Sequence, residues 1–318
     1  MKFSEYIIEW HENRKPLIRA STFESESEYT YRQIAPFFAD TELEDLKPLD
    51  IQKYVNAKLT SGRLDGKPGG LSTVSVQKHL YIIKQSLNDA VLYGYLTVNP
   101  ALPVRTPRRK TTQTRRCVFL EAEQAAKVVN ALSNDHAIQT AVLVTLLYGL
   151  RRSEILGLRW SSIDFELNRM TIEHTVVKSL TVQAVDDTKT PGSHATFELL
   201  PEARASLLRQ REETAENHSD YVFSRSDGSV MRPDCLTRSF QRALKRNRLA
   251  PMRYHDLRHS TASILFARGW SLEDVKNWLR HADIETTSNI YLHYQQSRKL
   301  LVGKDLSGIF SLNENNKA

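Results

Sequence analysis

Cysteine is nearly missing from this chain: Cys117 and Cys235 are the whole supply in 318 residues, far apart and in no C-x-x-C spacing. That excludes a disulfide framework and a structural zinc knot, and it fits a reducing, cytoplasmic setting. Long apolar runs are missing as well. The greasiest stretch, Ala137 to Leu150, is broken by Gln139, Thr140 and Thr145. It falls short of the roughly 18 apolar residues a membrane-spanning helix needs and reads as a buried core helix. The opening MKFSEYIIEWHENRK scatters charges where a secretory signal needs an apolar block, so no export signal is expected. Neither an internal repeat nor a low-complexity segment occurs, and 12 glycines and 11 prolines sit near globular averages, which excludes collagen-like and disordered classes.

What is present is length and positive charge. A chain of 318 residues accommodates two ordinary domains, each with its own core. Forty-four Lys and Arg against 37 Asp and Glu leave a net charge of +7, which favours an anionic partner such as nucleic acid. Residues 1 to about 100 carry helical periodicity. Phe3, Tyr6, Ile7 and Trp10 fall on one helical face, a second helix is expected over Glu24–Phe38, and a third after Pro48 with Ile51, Tyr54, Val55 and Leu59. Ser61–Gly70, with four glycines and a proline, breaks the pattern. Ser72 then caps a long helix through Val76, Leu80, Ile83, Leu87 and Val91, which Gly94 and Asn99-Pro100 close. A compact four-helix module over 1–103 is the expected first domain.

Residues 104–116 form a basic connection. Arg105, Arg108, Arg109, Lys110, Arg115 and Arg116 crowd a segment without apolar period, which suits a solvated linker or a strand of charge lying along phosphates. The second domain, 117–318, is expected to hold helices over Glu121–Leu132, Ala137–Leu147, Arg152–Leu158, Pro233–Asn247, His255–Arg268 and Ser271–Arg280. Between them Met170–Val177 and Ala195–Leu200 read as strands joined by the turn formers Asp186, Asp187, Pro191 and Gly192. The fold class is therefore mainly α with a small antiparallel β-sheet, an α+β arrangement.

Three segments carry chemistry. In Tyr254-His255-Asp256-Leu257-Arg258-His259, helical spacing sets an imidazole, His255, and a guanidinium, Arg258, on one face. The same letters imitate the H-E-x-x-H of zinc peptidases, with His281 or Asp283 available as a third ligand, but Arg258 beside a dication is unfavourable and no metal is expected. In Tyr148-Gly-Leu-Arg151-Arg152-Ser-Glu154, Gly149 ends one helix and Arg151 stands where the next begins, a place suited to an anion. In Leu279-Arg280-His281, followed by Thr286-Thr287-Ser-Asn-Ile-Tyr291-Leu-His293-Tyr294, a histidine precedes a polar helix start and a tyrosine follows ten positions later. Each segment alone has an ordinary structural explanation.

In this order, GLRRSE, TKTPG beside a strand, HDLRH, LRHADI and TTSNIYLHY resemble the tyrosine recombinase, or phage integrase, family over essentially the whole chain. The resemblance implies a helical core-binding (SAM-like) domain followed by the recombinase catalytic domain. It implies Arg151 and Arg258 as the catalytic arginines, Lys189 as the hairpin lysine, His255 and His281 as the histidines, and Tyr291 as nucleophile; Glu154 is then read most simply as holding Arg151, with a solvent-facing helix charge as the alternative. Lys178 is the rival to Lys189, and Tyr294 the rival to Tyr291. The residue types suit the reaction: two planar guanidiniums neutralise a five-coordinate phosphorus, a tyrosine with ordinary pKa near 10 needs a base and a positive field, and a lysine can protonate the leaving 5′ oxygen. No cofactor is then required.

The function implied is a site-specific recombinase, an integrase of a mobile element working through a 3′-phosphotyrosyl intermediate. The long Met170–Leu200 hairpin favours that subclass over a Xer-like dimer resolvase. A type IB topoisomerase and a non-catalytic DNA-binding regulator stand as further alternatives. Implied partners are double-stranded recombination sites and further protomers, four on DNA, joined through the apolar tail residues Leu300, Leu301, Val302, Leu306, Ile309 and Phe310. Accessory directionality or DNA-bending proteins remain open, no membrane is involved, and the expected location is cytoplasmic, at the nucleoid. Many such integrases carry an arm-binding domain before the helical module, which here starts almost at Met1; a protein without arm sites and a shortened chain both fit.

Overall fold

Phe3, Tyr6, Ile7 and Trp10 are all buried along one side of the first helix, α1 (Phe3–Asn13). The computed structural model describes residues 1–107, 118–177, 183–185, 194–281, 284–285, 287–292 and 294–295, the side chains of 177 and 183–185 excepted. The chain divides into two units, Met1–Thr114 and Arg115–Ala318, each built around its own core.

In the first unit, α1 is followed by α2 (Ala20–Tyr29), α3 (Pro48–Ser61) and α4 (Thr73–Leu92). Several polar side chains of this core are paired across helices. The Tyr6 hydroxyl donates to the Ser86 carbonyl at 2.7 Å, the Trp10 indole N–H donates to Asp89 Oδ2 at 2.6 Å, and Tyr54 meets His79 Nδ1 at 2.8 Å. Ser72 caps α4 by accepting the Ser75 N–H at 3.1 Å. The helix expected over Glu24–Phe38 is instead three pieces. After α2 the chain widens into a π-turn at Thr30–Ile34 and tightens into a 3-10 turn at Ala35–Phe38. Pro36 is the reason: it has no N–H, and its ring would collide with the carbonyl of Arg32 in a continuous α-helix.

In the second unit α5 (Ala122–Ala131) leads to α6 (His136–Tyr148), which is apolar on nearly every side and sits inside the core, and α6 ends at Gly149 before the short α7 (Arg152–Gly157). Strands β1 (Ile163–Asp164), β2 (Arg169–Ile172) and β5 (Ala195–Glu198) form an antiparallel sheet with Ile163 opposite Met170 and Met170 opposite Phe197. A separate two-stranded ribbon pairs β3 (Thr175–Val177) with β4 (Gln183–Val185). The strand expected over Met170–Val177 is thus cut at Glu173-His174. There α7 presses against it: a Cβ on Gly157 would lie 2.3 Å from the His174 carbonyl oxygen, so the backbones touch where the strand bends. Helices α8 (Pro201–Glu213), α9 (Pro233–Arg246), α10 (Tyr254–Ala267) and α11 (Leu272–Leu279) complete the unit, with a last helical stretch within 284–295.

Buried hydroxyls fix α10 against α6. Thr261 Oγ1 donates to the Leu146 carbonyl at 2.9 Å, and the Tyr254 hydroxyl donates to the Ala141 carbonyl at 3.0 Å. The fold is mainly helical with small antiparallel sheets, and among the described residues no helix is long and apolar enough to cross a membrane.

Candidate active site

Gly149 turns the chain from α6 into α7 with φ +62°, and it is squeezed from outside: a Cβ there would fall 2.2 Å from Leu279 Cδ2. Only glycine meets both conditions, the left-handed backbone and the close approach of α11. The turn delivers Arg151 to the position before α7, where its own N–H donates to Glu154 Oε2 at 2.8 Å and its Nη1 donates to Glu154 Oε1 at 2.6 Å. Glu154 is 1% exposed. Its buried carboxylate therefore grips Arg151 by main chain and side chain together, while Arg151 Nη2 donates to the Arg280 carbonyl at 3.0 Å.

Arg258, one turn into α10, is among the most deeply buried side chains of the molecule, at 1% exposure. Its Nη1 donates to the Gly149 carbonyl, its Nη2 to the Leu279 carbonyl, and its Nε to His281 Nε2 at 3.3 Å. A guanidinium only donates, so His281 Nε2 must be the lone-pair nitrogen. The ring proton then sits on Nδ1 and is given to the Thr287 hydroxyl at 2.7 Å. Two successive carbonyls at the end of α11, those of Leu279 and Arg280, thus aim the two arginines, and the next residue, His281, is fixed by one of them.

The electrostatics are those of an anion site. Arg151, Arg258 and Arg280 gather around the carboxylate of Glu154, and Asp256 is occupied at the start of α10 by Arg253, whose N–H and guanidinium it accepts at 2.9 and 2.7 Å. Positive charge is in excess. Burial, and then the charge of Arg151, pulls the Arg258 guanidinium down to about 9, still protonated at neutral pH. Burial, and then Arg258 and Arg151, holds His281 at about 3. His259 lies at about 4, chiefly through desolvation, its ring edge-on to His255 at 4.7 Å. His255 is exposed by area, yet desolvation by neighbouring protein and then Arg258 keep its pKa below the ordinary imidazole value. The histidines are therefore neutral near pH 7, and a bound anion would raise them.

Tyr291 lies in the last helical stretch. Its ring packs on Phe266 at 5.0 Å, and its hydroxyl accepts from Gln295 Nε2 at 2.7 Å. Phe266 also carries Tyr294, whose ring stacks at 6.1 Å, so both tyrosines share one support. Phe266 lies eight residues beyond Arg258 on α10, roughly 12 Å along the axis. The structure thus brings Arg151, Glu154, Arg258 and His281 together, sets His255 on the first turn of the same helix as Arg258, and holds Tyr291 on the far part of that helix.

Lys189 and its rival Lys178 lie outside the described residues, as do Arg108, Arg109, Lys110, Arg115, Arg116 and the tail from 296 onward. Arg105 is described: its N–H donates to Gln52 Oε1 at 3.4 Å and the residue is exposed. Among the described residues no group of three His, Cys, Asp or Glu side chains could hold a metal. Asp256, which occupies the glutamate place of the zinc-peptidase pattern, is a helix cap.

Sequence reasoning missed Arg280 and Thr287. Arg280 has its side chain 6% exposed, donates Nη2 to Glu154 Oε2 at 2.8 Å and lies over the Phe197 ring at 5.4 Å. A run of Arg280-His281 before a helix start gives no signal that this arginine turns inward. The carbonyls of Gly149, Leu279 and Arg280 gave none at all, since every residue has one.

Comparison with known proteins follows the same lines. A family model described as the phage integrase family matches residues 118–298, more than half of the chain, and one described as the phage integrase N-terminal SAM-like domain matches 2–59. A tyrosine recombinase XerC-like protein of Caldanaerobacter subterraneus subsp. tengcongensis is 28% identical over 295 residues, covering 83% of this chain and 72% of that one. The ICEBs1 integrase of Bacillus subtilis is 27% identical over 304 residues, covering 90% and 80%. Among solved structures, the Tn1549 transposon integrase in complex with a circular intermediate DNA superposes with a TM-score of 0.75 at 16% identity, covering 95% of this chain and 99% of that one. A lambda integrase dimer bound to a core site gives 0.67 at 18%, covering 91% and 95%. These two likenesses speak to the fold.

Proposed function

The chain belongs to the phage integrase family, and from that premise we propose that it is a tyrosine recombinase that integrates and excises a mobile element through a 3′-phosphotyrosyl intermediate. The observation that carries this reading is the pair of guanidiniums, Arg151 and Arg258, held by the consecutive carbonyls of Arg280 and Leu279 in a cluster with surplus positive charge. Such a cluster suits a phosphodiester whose non-bridging oxygens gain charge in the transition state. Arg258 spends three N–H groups on the protein and keeps two for the phosphate.

In the proposed reaction the Tyr291 oxygen attacks phosphorus as the bond from phosphorus to the 5′ oxygen breaks. The phenol proton passes to His255, and Lys189 protonates the departing 5′ oxygen. Arg151 and Arg258 hold the phosphate throughout, and His281 joins them once the bound anion draws Arg258 Nε away and a proton onto its Nε2. Attack requires Tyr291 to leave Gln295 and approach the arginines, within its own subunit or in a neighbouring one. The phosphotyrosine keeps the energy of the broken bond, so a 5′ hydroxyl from another strand can reverse the step. Basic residues of the 104–116 segment would track the DNA backbone, and binding should weaken steeply with salt. Four protomers on paired sites, coupled through the apolar tail, complete the proposal. A dimer-resolvase role is the second reading, favoured by the likeness to the XerC-like relative.

The test is a nicked half-site incubated with protein in EDTA. A denaturant-stable adduct is expected, mapping to a peptide that contains Tyr291 and disappearing in Tyr291→Phe. Adduct retained in that variant, or none from the wild type, would refute the mechanism. Exchange between element ends rather than between directly repeated chromosomal sites would separate the integrase reading from the resolvase one.

A further inference from the structure

Arg280 occupies a place that glycine fills more easily. It closes α11 in the left-handed region, φ +58°, a conformation uncommon for an arginine that the exposed Arg248 shares at φ +54°. Its side chain does not escape to solvent, as a surface arginine's would, but turns in over the Phe197 ring and donates to Glu154. What sets Arg280 apart from Arg248 is its guanidinium, 6% exposed and bonded to Glu154, so the surrounding structure holds this residue by its side chain.

The bonds close a ring. Arg280 Nη2 donates to Glu154 Oε2, Arg151 Nη1 donates to Glu154 Oε1, and Arg151 Nη2 returns to the Arg280 carbonyl. Every bond in that ring bears on where the Arg151 fork points. We propose that Arg280 is a positioning residue of the recombinase site: it fixes the Glu154 carboxylate in the orientation that aims Arg151 at the scissile phosphate. This inference rests on the recombinase reading for its functional meaning, and on the ring of bonds for its physical one.

The charge balance points the same way. Glu154 is faced by Arg151 at the start of α7, by Arg280 beyond α11 and by Arg258 from α10, with neutral His281 next to Arg280. Burial alone would raise its pKa, but Arg280 foremost, then Arg151, keeps it below the ordinary carboxylate value. Without Arg280 the buried carboxylate loses one of the two guanidiniums bonded to it. It would then take up a proton as the pH falls and release Arg151. Because the folded pKa of Glu154 is depressed, its grip is present at and above neutral pH and lost on the acid side, and removing Arg280 moves that loss toward neutrality.

Arg280→Gln and Arg280→Lys are the informative pair. In single-turnover cleavage of a nicked half-site, Arg280→Gln should cut about 10–100-fold more slowly in mildly acidic buffer and recover much of the loss in mildly alkaline buffer, a size typical of lost outer-shell support. Half-site affinity by gel shift should stay within about twofold, and Arg280→Lys, which keeps the charge but not the planar fork, should fall between. Wild-type cleavage by both variants at every pH would overturn the proposal. So would a pH-independent loss in which Lys is no better than Gln, the mark of a merely structural residue. A second readout needs no DNA: carboxyl-labelled glutamate NMR should show Glu154 titrating at higher pH in Arg280→Gln than in the wild type, and an unmoved titration would overturn the proposal. A wild type that forms no adduct would refute the recombinase reading alone, leaving this measurement to judge Arg280.

Discussion

His79 in the first unit and His281 in the second are both held well below the ordinary imidazole pKa, at about 4 and about 3, yet they sit in opposite kinds of surroundings. His79 is 1% exposed in a neutral core, bonded to Tyr54, and its pKa is lowered by desolvation first and by Lys58 second. His281 is lowered by desolvation and then by two guanidiniums that no nearby carboxylate fully offsets. The depressed value is therefore no mark of function. What separates the two places is whether the charge around the ring is already balanced. Among the described residues the first unit sets no cation within bonding distance of His79, whereas the second crowds His281 with Arg258 and Arg151, and Arg258 keeps two N–H groups that none of the bonds named above takes up.

The largest expected effect lies on the balanced side. Trp10→Ala should cost about 3–5 kcal/mol of stability in the first unit, read as lost amide protection in α1 and α4, because it empties a core and strands the Asp89 carboxylate. A comparable loss of protection in α6 would break the contrast between the units. Arg258→Lys should slow half-site cleavage by about 10²–10³ while half-site binding persists, since an ammonium cannot serve the Gly149 and Leu279 carbonyls and a phosphate together. Retained cleavage would show that the pocket is not the reacting one.

Inorganic phosphate sharpens the contrast without mutation. Bound among the arginines, it should raise the His281 pKa by about one unit or more and leave His79 where it is, followed by imidazole NMR. Equal movement of both would mean that the anion acts on the whole protein. The smallest effect is Tyr54→Phe, expected to cost about 1 kcal/mol by leaving His79 Nδ1 without its partner, measured by urea unfolding. The pH dependence of the first unit follows from the same histidine. Its folded pKa is below the unfolded value of 6.5, so the stability tied to neutral His79 is complete above that value and lost as the pH falls toward about 4.

Helical periodicity made the elements legible, and motif order made Arg151, Glu154, Arg258 and His281 legible as members of one group. Other features left no trace in side-chain spacing. The break of the Glu24–Phe38 helix hangs on Pro36, whose effect depends on whether the turn before it can widen, as it does at Thr30–Ile34. The split of Met170–Val177 into two sheets comes from a remote backbone, that of Gly157, touching His174. Arg280 reads on paper like another exposed cation of a basic chain. Its inward turn is decided by a left-handed backbone and a carboxylate more than a hundred residues away.

The sockets that steady both guanidiniums are main-chain oxygens, those of Gly149, Leu279 and Arg280. No exchange of one amino acid for another can delete a carbonyl. Inherited variation can therefore reach this part of the pocket only indirectly, by displacing the peptide that bears the oxygens, and Gly149, wedged against Leu279, is where a single added methyl group would do so.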